Sequence, residues 1–214
     1  WDNVKKINEL GLNALFVPEQ YGGSPLSYAC YIACVREISE ACASTGIIWA
    51  TNFHGITPLI EFGNEEQKAR LLPRIAEGGL GSLTITEPTA GSDATGMRTT
   101  FKDLGGEIEI SGSKIFISNG DVADLYLVFG KWEGIEDPKK AITAVVLEKG
   151  TPGLTVTGIE DKMGTRASST ASLAFDQCRI PKENLLVGPG AGLEILLSSL
   201  NRSRPSVAAH ALGI

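Results

Sequence analysis

The chain has 214 residues, of which 43% are hydrophobic and 21% are charged. This composition is ordinary for a globular protein and excludes disordered and fibrous classes. Nineteen Lys and Arg against 25 Asp and Glu give a net charge of -6, and no basic run offsets it locally. A field of this sign repels polyanions, so we expect no nucleic-acid partner.

No apolar run approaches the roughly 18 to 20 residues that cross a bilayer, so no membrane span is predicted. The four cysteines form no CxxC pair and only two histidines accompany them, so no metal site is predicted either. Trp1 lies inside an amphipathic pattern rather than a signal peptide, and we expect an internally cut chain.

Residues 1–81 carry the periodicity of helices. One face of a helix of about four turns is marked by Leu26, Cys30, Cys34, Ile38 and Cys42. A later helix is predicted to begin after Asn64, an N-cap residue with Gln67 at the capping-box position. Pro73 is expected to end or kink that helix. This part of the chain is therefore predicted to be a helical bundle.

From Ser82 onward the pattern changes to short alternating or apolar segments separated by Gly, Asp, Asn or Pro. They predict six or seven strands without an intervening helix, as in a small antiparallel barrel or sandwich. A helical pattern returns in "AGLEILLSSL" and continues through "SVAAHALGI". We therefore predict an α+β fold with a truncated N-terminal helical domain (1–81), a middle β domain (82–187) and the truncated start of a C-terminal helical domain (188–214).

The segment "TEPTAGSD" is the first candidate for ligand binding. Neither GxGxxG nor the P-loop pattern occurs in the chain, so a nucleotide would have to be held in another way. Thr84 and Thr86 are predicted to share one strand face, and the following turn offers backbone N–H groups and the Ser92 hydroxyl to an anion. Taken alone, the segment fits an ordinary strand end with an Asx turn at Asp93 better.

Two further segments carry residues that could bind a ligand. In "KIFISNG", Phe116 and Ser118 share a strand face, which pairs an aromatic wall with a hydroxyl group. In "LNRSRP", Asn201, Arg202 and Arg204 could clamp a phosphate or carboxylate. A core Phe beside a surface Ser, and ordinary surface charge, are the simpler readings of each segment by itself. No GxSxG elbow is present, which argues against a hydrolase.

Together with "KMGTRASSTASLAFDQCRIPKENLLVG", these segments resemble the acyl-CoA dehydrogenase family over essentially the whole chain. The resemblance implies an FAD-dependent oxidoreductase of fatty acid or amino acid catabolism that converts an acyl-CoA to its 2,3-enoyl-CoA. It also implies transfer of electrons to an electron-transferring flavoprotein, and a homotetramer or dimer when full length. The implied location is the bacterial cytoplasm or the mitochondrial matrix.

The resemblance also assigns site residues. Thr86 is expected to bind the pyrimidine end of the flavin, and Ser92 the pyrophosphate and the CoA side. Phe116 stands where many members have Trp, and Ser118 where many have Thr. The complete set implied for FAD is Leu83, Thr84, Ile85, Thr86, Gly91, Ser92, Phe116, Ile117 and Ser118. The set implied for the acyl-CoA is Ser92, Asn201, Arg202, Ser203 and Arg204.

No catalytic residue is assigned in this chain. In the isovaleryl and long-chain branch of the family the catalytic Glu occupies the position of Ser203, so the base is expected from a later helical domain that this sequence lacks. Glu87 is expected to be structural, and the 214 residues alone are expected to be inactive. An acyl-CoA oxidase or related flavoenzyme of the same fold, and a non-catalytic acyl-CoA-binding or assembly protein, remain as alternatives.

Overall fold

A computed structural model describes residues 2–214 of the chain. Four α-helices come first, seven strands follow, and one long helix comes last. The helices are α1 (Asp2–Glu9), α2 (Tyr28–Ala41), α3 (Ala43–Phe62), α4 (Glu65–Ala76) and α5 (Gly192–Gly213). The strands are β1 (Gly81–Thr84), β2 (Thr100–Asp103), β3 (Glu107–Ser118), β4 (Leu125–Trp132), β5 (Ile142–Glu148), β6 (Leu154–Ile159) and β7 (Thr170–Pro181). The predicted α+β class is confirmed.

Helix α4 begins as the sequence predicts but ends later. The Asn64 side chain accepts the Gln67 backbone N–H at 2.8 Å, and the Gln67 side chain accepts the Asn64 N–H at 2.9 Å, which completes the capping box. The expected end at Pro73 is wrong, because the helix runs on to Ala76. Pro73 lacks an N–H, but the Glu77 N–H still donates to its carbonyl at 3.0 Å, so the last turn closes.

Helix α3 connects the helices to the sheet. Gly55 packs directly on the backbone of β1, so close that a Cβ at this position would lie 2.4 Å from the Ser82 nitrogen. The Asn52 side chain accepts the Gly81 N–H at 2.7 Å, and the Asn119 side chain donates to the Ile48 carbonyl at 3.3 Å. These contacts fix β1 and the end of β3 against α3.

The seven strands form one mixed sheet in the order β1-β4-β2-β3-β7-β6, with β5 also paired to β4. The number of strands agrees with the sequence-based prediction. The predicted antiparallel arrangement is wrong for two strand pairs, because β4 pairs in parallel with both β1 and β2. Alternation of apolar residues reports which face of a strand is buried and carries no information about strand direction.

Strand β4 is buried on both faces, which explains its nearly continuous apolar sequence. Leu125, Leu127 and Phe129 belong to the core that the sheet shares with the helices. Tyr126 and Val128 belong to a second core inside the curled sheet. The sheet therefore lies between the helical layer and its own interior.

Helix α5 packs against α2 and α3 and continues through Pro205 without a break. Two buried Ser–His contacts join these helices: His54 Nε2 lies 2.6 Å from Ser206 Oγ, and His210 Nδ1 lies 2.8 Å from Ser39 Oγ. The Ser206 hydroxyl donates to the Ser203 carbonyl at 2.7 Å, so it accepts the proton of the His54 ring. Neutral His54 fits this network.

Over residues 2–214, no helix combines the length and apolar character that a membrane crossing requires.

Acidification is expected to destabilise the fold through His54. Burial lowers the pKa of His54 from 6.5 to about 4, so between these values the unfolded chain binds a proton that the folded chain does not. This group's contribution is present in full above pH 6.5, and about 3 kcal/mol of it is expected to be lost by pH 4.

The measurement is urea unfolding between pH 7 and 4. A His54→Gln variant retains a donor for Ser206 and cannot titrate, so it is expected to show a weaker pH dependence than the wild type. Equal pH dependence of the two proteins would contradict this role of His54.

A Gly55→Ala substitution is expected to lower the free energy of unfolding by about 2 kcal/mol, although Ala is the better helix former. The added Cβ would lie 2.5 Å from the Gly81 carbonyl carbon, and backbone cannot move aside as a flexible side chain can. Gly158→Ala is the control, because a Cβ at Gly158 meets no atom within 4 Å. Chemical denaturation measures both, and equal stabilities would show that the α3–β1 contact tolerates a methyl group.

Candidate functional site

A groove of about 530 Å³ lies between the segment after β1 and α5. On the sheet side it is lined by Ile85, Thr86, Gly91, Ser92, Asp93, Ala94 and Thr95. On the helix side it is lined by Leu193, Leu196, Leu197, Leu200 and Arg204. Spacings of three and four residues place this second set on one face of α5. The groove thus joins an apolar wall to a wall that carries hydroxyl groups and backbone N–H groups.

The segment after β1 is held from below by a buried ion pair. Lys114 Nζ lies 2.8 Å from Glu87 Oε1 and donates to the Ile85 carbonyl, also at 2.8 Å. The Glu87 carboxylate accepts the backbone N–H of Arg98 at 2.5 Å and that of Thr99 at 3.0 Å. Both carboxylate oxygens are therefore occupied.

These contacts keep Glu87 ionised. Burial by itself would raise the pKa of Glu87. The Lys114 ammonium and the hydrogen bonds from Lys114, Thr99 and Arg98 outweigh burial and hold that pKa below its ordinary value. A carboxylate with a low pKa and no free oxygen is a poor proton acceptor, which agrees with the structural role expected for Glu87.

Phe116 projects outward from a bulge in β3. From Lys114 to Ile117 the chain advances three residues, while the paired β7 advances only two, from Leu173 to Ala171. Inside this bulge Phe116 has a φ of 57°, and the residue is 59% exposed. A bulky residue in the left-handed region costs on the order of 1–3 kcal/mol and is found at ligand sites.

The structure brings four of the residues predicted for the cofactor to the groove: Ile85, Thr86, Gly91 and Ser92. Thr84 is fully buried, and its hydroxyl has no hydrogen-bond partner among the described residues. Because β1 ends at Thr84, the expected common hydroxyl face of Thr84 and Thr86 does not form.

The remaining members of that predicted set lie away from the groove lining. Ile117 belongs to the core inside the sheet, and Leu83 packs against the core shared with the helices. Ser118 is half-buried, and its carbonyl accepts the Ser82 hydroxyl at 2.8 Å. Phe116 and Ser118 both remain accessible, whereas Ile117 between them is buried.

The predicted acyl-CoA residues on α5 point in different directions. Arg204 lines the groove and donates to the Asn201 side chain at 3.2 Å. Arg202 is directed to the opposite side of the helix, where its Nε lies 2.9 Å from Glu61 Oε1 and its guanidinium stacks over the Tyr28 ring at 5.5 Å. At 100° per residue, positions 202 and 204 are about 200° apart, so one ligand cannot readily contact both.

Ser203 and Asp93 define the proton-transfer chemistry available near the groove. The Ser203 hydroxyl donates to the Leu200 carbonyl at 3.0 Å. Asp93 is the only carboxylate that lines the described groove, and its side chain accepts the Thr95 N–H at 3.1 Å. Hydrogen bonds from the Thr95 side chain and backbone lower the pKa of Asp93, which makes it a weak base.

Two features of the site were missed by the sequence reasoning, although signals for both exist. The apolar groove wall could have been found from the leucines of "GLEILLSSL", which recur on a second helical face. The ion pair could have been found from strand alternation, because Lys114 falls in phase with the buried Ile108 and Ile110 of β3. A lysine on an inward face requires an acidic partner.

The residues present fit a flavin. A flat heteroaromatic ring needs an aromatic or apolar face together with hydrogen-bonding groups at its edge. Phe116 offers an exposed ring, which its strained backbone keeps out of the core, and Thr86 and Ser92 offer hydroxyls at the groove. No group of three His, Cys, Asp or Glu in residues 2–214 is arranged as metal ligands are.

Two family models match the chain. One is described as "Acyl-CoA dehydrogenase, N-terminal domain" and matches residues 1–79, and the other as "Acyl-CoA dehydrogenase, middle domain" and matches residues 82–178. The mitochondrial short-chain specific acyl-CoA dehydrogenase of Mus musculus is 42% identical over 213 residues, which are 99% of this chain and 52% of the relative. The chain spans about half the length of the curated relatives it matches.

Solved structures that resemble this chain include acyl-CoA dehydrogenases. Butyryl-CoA dehydrogenase from Megasphaera elsdenii has a TM-score of 0.94 and 37% identity, covering 98% of this chain and 56% of that one. An acyl-CoA dehydrogenase complexed with FAD from Bacillus anthracis has a TM-score of 0.91 and 34% identity, covering 98% of this chain and 36% of that one. Since the two family models account for most of its length and its structure superimposes on such enzymes, the chain belongs to the acyl-CoA dehydrogenase family.

Proposed function

We propose that the protein containing this chain is an FAD-dependent acyl-CoA dehydrogenase that oxidises an acyl-CoA thioester to its 2,3-enoyl-CoA. The observation that carries the proposal is the groove in which "TEPTAGSD" faces the leucines of α5, in a chain that belongs to this family. FAD, when bound, supplies the acceptor for the hydride that leaves the β carbon.

The chain's own residues are proposed to bind and orient this cofactor. Thr86 and Ser92 supply hydroxyl groups at the groove, and the turn at Gly91 supplies backbone N–H groups for a phosphate. Phe116 supplies an aromatic face but no N–H donor, and Ser118 lies two residues further along the same strand. Thr84, Leu83 and Ile117 are proposed to support this wall from inside the fold.

The acyl-CoA is proposed to enter along α5. Four leucines give this face an apolar lining that matches the methylene groups of a thioester chain and excludes water from it. Arg204, with Asn201 as its hydrogen-bond partner, is the cationic group at the groove and suits a polar or anionic part of the substrate. Arg202 is proposed to anchor α5 to Glu61 rather than to bind substrate.

The base that removes the α proton is proposed to come from outside these 214 residues. Ser203 offers a hydroxyl that already donates to a carbonyl, and Glu87 is fully engaged in the β domain. We accordingly propose that the 214 residues alone do not catalyse dehydrogenation. The domain boundaries at 81/82 and 187/188, a homotetramer or dimer, and electron transfer to an electron-transferring flavoprotein in a bacterial cytoplasm or a mitochondrial matrix belong to the same proposal.

The activity test uses the full-length protein with butyryl-CoA and an artificial electron acceptor under anaerobic conditions. A stoichiometric flavin absorbance, acceptor reduction and formation of the enoyl-CoA are expected, and the 214-residue chain serves as the inactive control. Reduction of oxygen at a comparable rate would instead identify an oxidase. Purification without flavin and without turnover would favour a non-catalytic acyl-CoA-binding or assembly protein.

Phe116 links this function to backbone strain. Phe116→Gly and Phe116→Ala both remove the ring, but only Gly adopts a φ of 57° without a steric penalty. We therefore expect Phe116→Gly to be more stable than Phe116→Ala by about 1 kcal/mol in urea unfolding. Both variants of the full-length protein are expected to bind FAD more weakly than the wild type. Equal stability of the two variants would show that the bulge is unstrained.

A further inference from the structure

Lys114 and Glu87 form an ion pair that is almost completely buried. Their side chains are 0% and 3% exposed, and Lys114 Nζ lies 2.8 Å from Glu87 Oε1. Removing two charges from water costs several kcal/mol per ion, and replacing such a pair by apolar groups is often neutral or stabilising. Stability is therefore a weak reason for this pair to be present.

The pair contacts the backbone at both ends of the segment that lines the groove. Lys114 Nζ donates to the Ile85 carbonyl at 2.8 Å, and the next residue, Ile115, donates its N–H to the Thr86 carbonyl at 2.9 Å. The Glu87 carboxylate accepts the N–H groups of Arg98 and Thr99, the residues that follow the turn at Gly91–Gly96. One ion pair thus joins the segment after β1, the far end of the turn and the start of the β3 bulge.

Both wall elements proposed to contact the flavin begin at this pair. Glu87 immediately follows Thr86, and the register shift that turns Phe116 outward begins at Lys114. Displacement of either charged side chain would therefore move the Thr86 backbone relative to the Phe116 ring. Neither residue lines the groove, so the pair can act on a ligand only through these neighbours.

We propose that Lys114 and Glu87 are positioning residues, an inference that rests on the proposed function. They set the distance and orientation between the Thr86 backbone and the Phe116 ring, and thereby the geometry of the flavin site. The backbone groups that the pair holds take the place of water around both charges. This role requires the charged pair, whereas a purely structural role would be fulfilled by apolar side chains of equal volume.

The test uses Lys114→Met and Glu87→Gln in the full-length protein. The control is Lys182→Met, which makes the same chemical change in an exposed ion pair. Lys182, just after β7, lies with its Nζ 2.6 Å from Oδ2 of Asp103 in β2, and the two side chains are 42% and 37% exposed. The FAD dissociation constant, the visible circular dichroism of the bound flavin and its midpoint potential are measured well below the melting temperature of each variant.

Lys114→Met is expected to weaken FAD binding by about tenfold or more, as loss of a residue that orients a binding group does elsewhere, and to change the flavin's circular dichroism and potential. Lys182→Met is expected to stay within about twofold of the wild type. A folded Lys114→Met variant with wild-type FAD affinity, circular dichroism and potential would overturn the proposal.

Hydrogen exchange without added FAD separates this inference from the proposed function. Faster exchange at 83–99 and 113–118 is expected in Lys114→Met and not in Lys182→Met, and unchanged exchange overturns the positioning role. A wild-type protein that binds no FAD overturns the proposed function instead. Should the single variants fail to fold, the neutral double variant Glu87→Gln/Lys114→Met is tested instead. If this double variant folds and binds FAD like the wild type, the pair serves folding alone and the proposal is wrong.

Discussion

The ion pair between Lys114 and Glu87 is the interaction on which the arrangement of the groove depends. Both side chains are buried, so water does not solvate either charge and each must be satisfied by the protein. The groups that satisfy them are backbone carbonyl and N–H groups of residues 85, 98 and 99. The ion pair therefore also restrains residues at the surface, because the backbone it holds continues directly into Thr86 and into the turn that lines the groove.

The other wall of the groove depends on the packing of α5. Its inward face contacts α2 and α3 through small and polar residues, including the buried contacts of His54 with Ser206 and His210 with Ser39. With that face fixed, four leucines of the same helix line the groove, and of these Leu197 is the most exposed while Leu196 also belongs to the core. The two walls therefore come from separate parts of the sequence, and α3 holds them in one frame through its close approach to β1.

Much of this could be predicted from local sequence. The capping box at Asn64 and the long last helix depend on contacts within a few residues, and both are confirmed. The change from helices to strands was placed at Ser82, and the first strand begins at Gly81. Pro73 was expected to end or kink α4, and the first of these is wrong, since a proline in the last turn removes one hydrogen bond without preventing the next. The parallel pairing of β4 escaped prediction, because strand direction is decided by chain connections and not by alternation.

The candidate site, like the fold, has features that follow from the sequence and features that follow only from the tertiary structure. The sequence by itself determined the α+β class, the two segments "TEPTAGSD" and "KIFISNG", and the resemblance that linked them, because these are properties of residue order. Only the tertiary structure decided which of those residues reach the groove: Thr84 and Ile117 lie in the interior, and Arg202 turns away from Arg204. The physical reason is that a side chain's direction follows from where its strand or helix ends and what packs on each face, and both are set by residues distant in the chain.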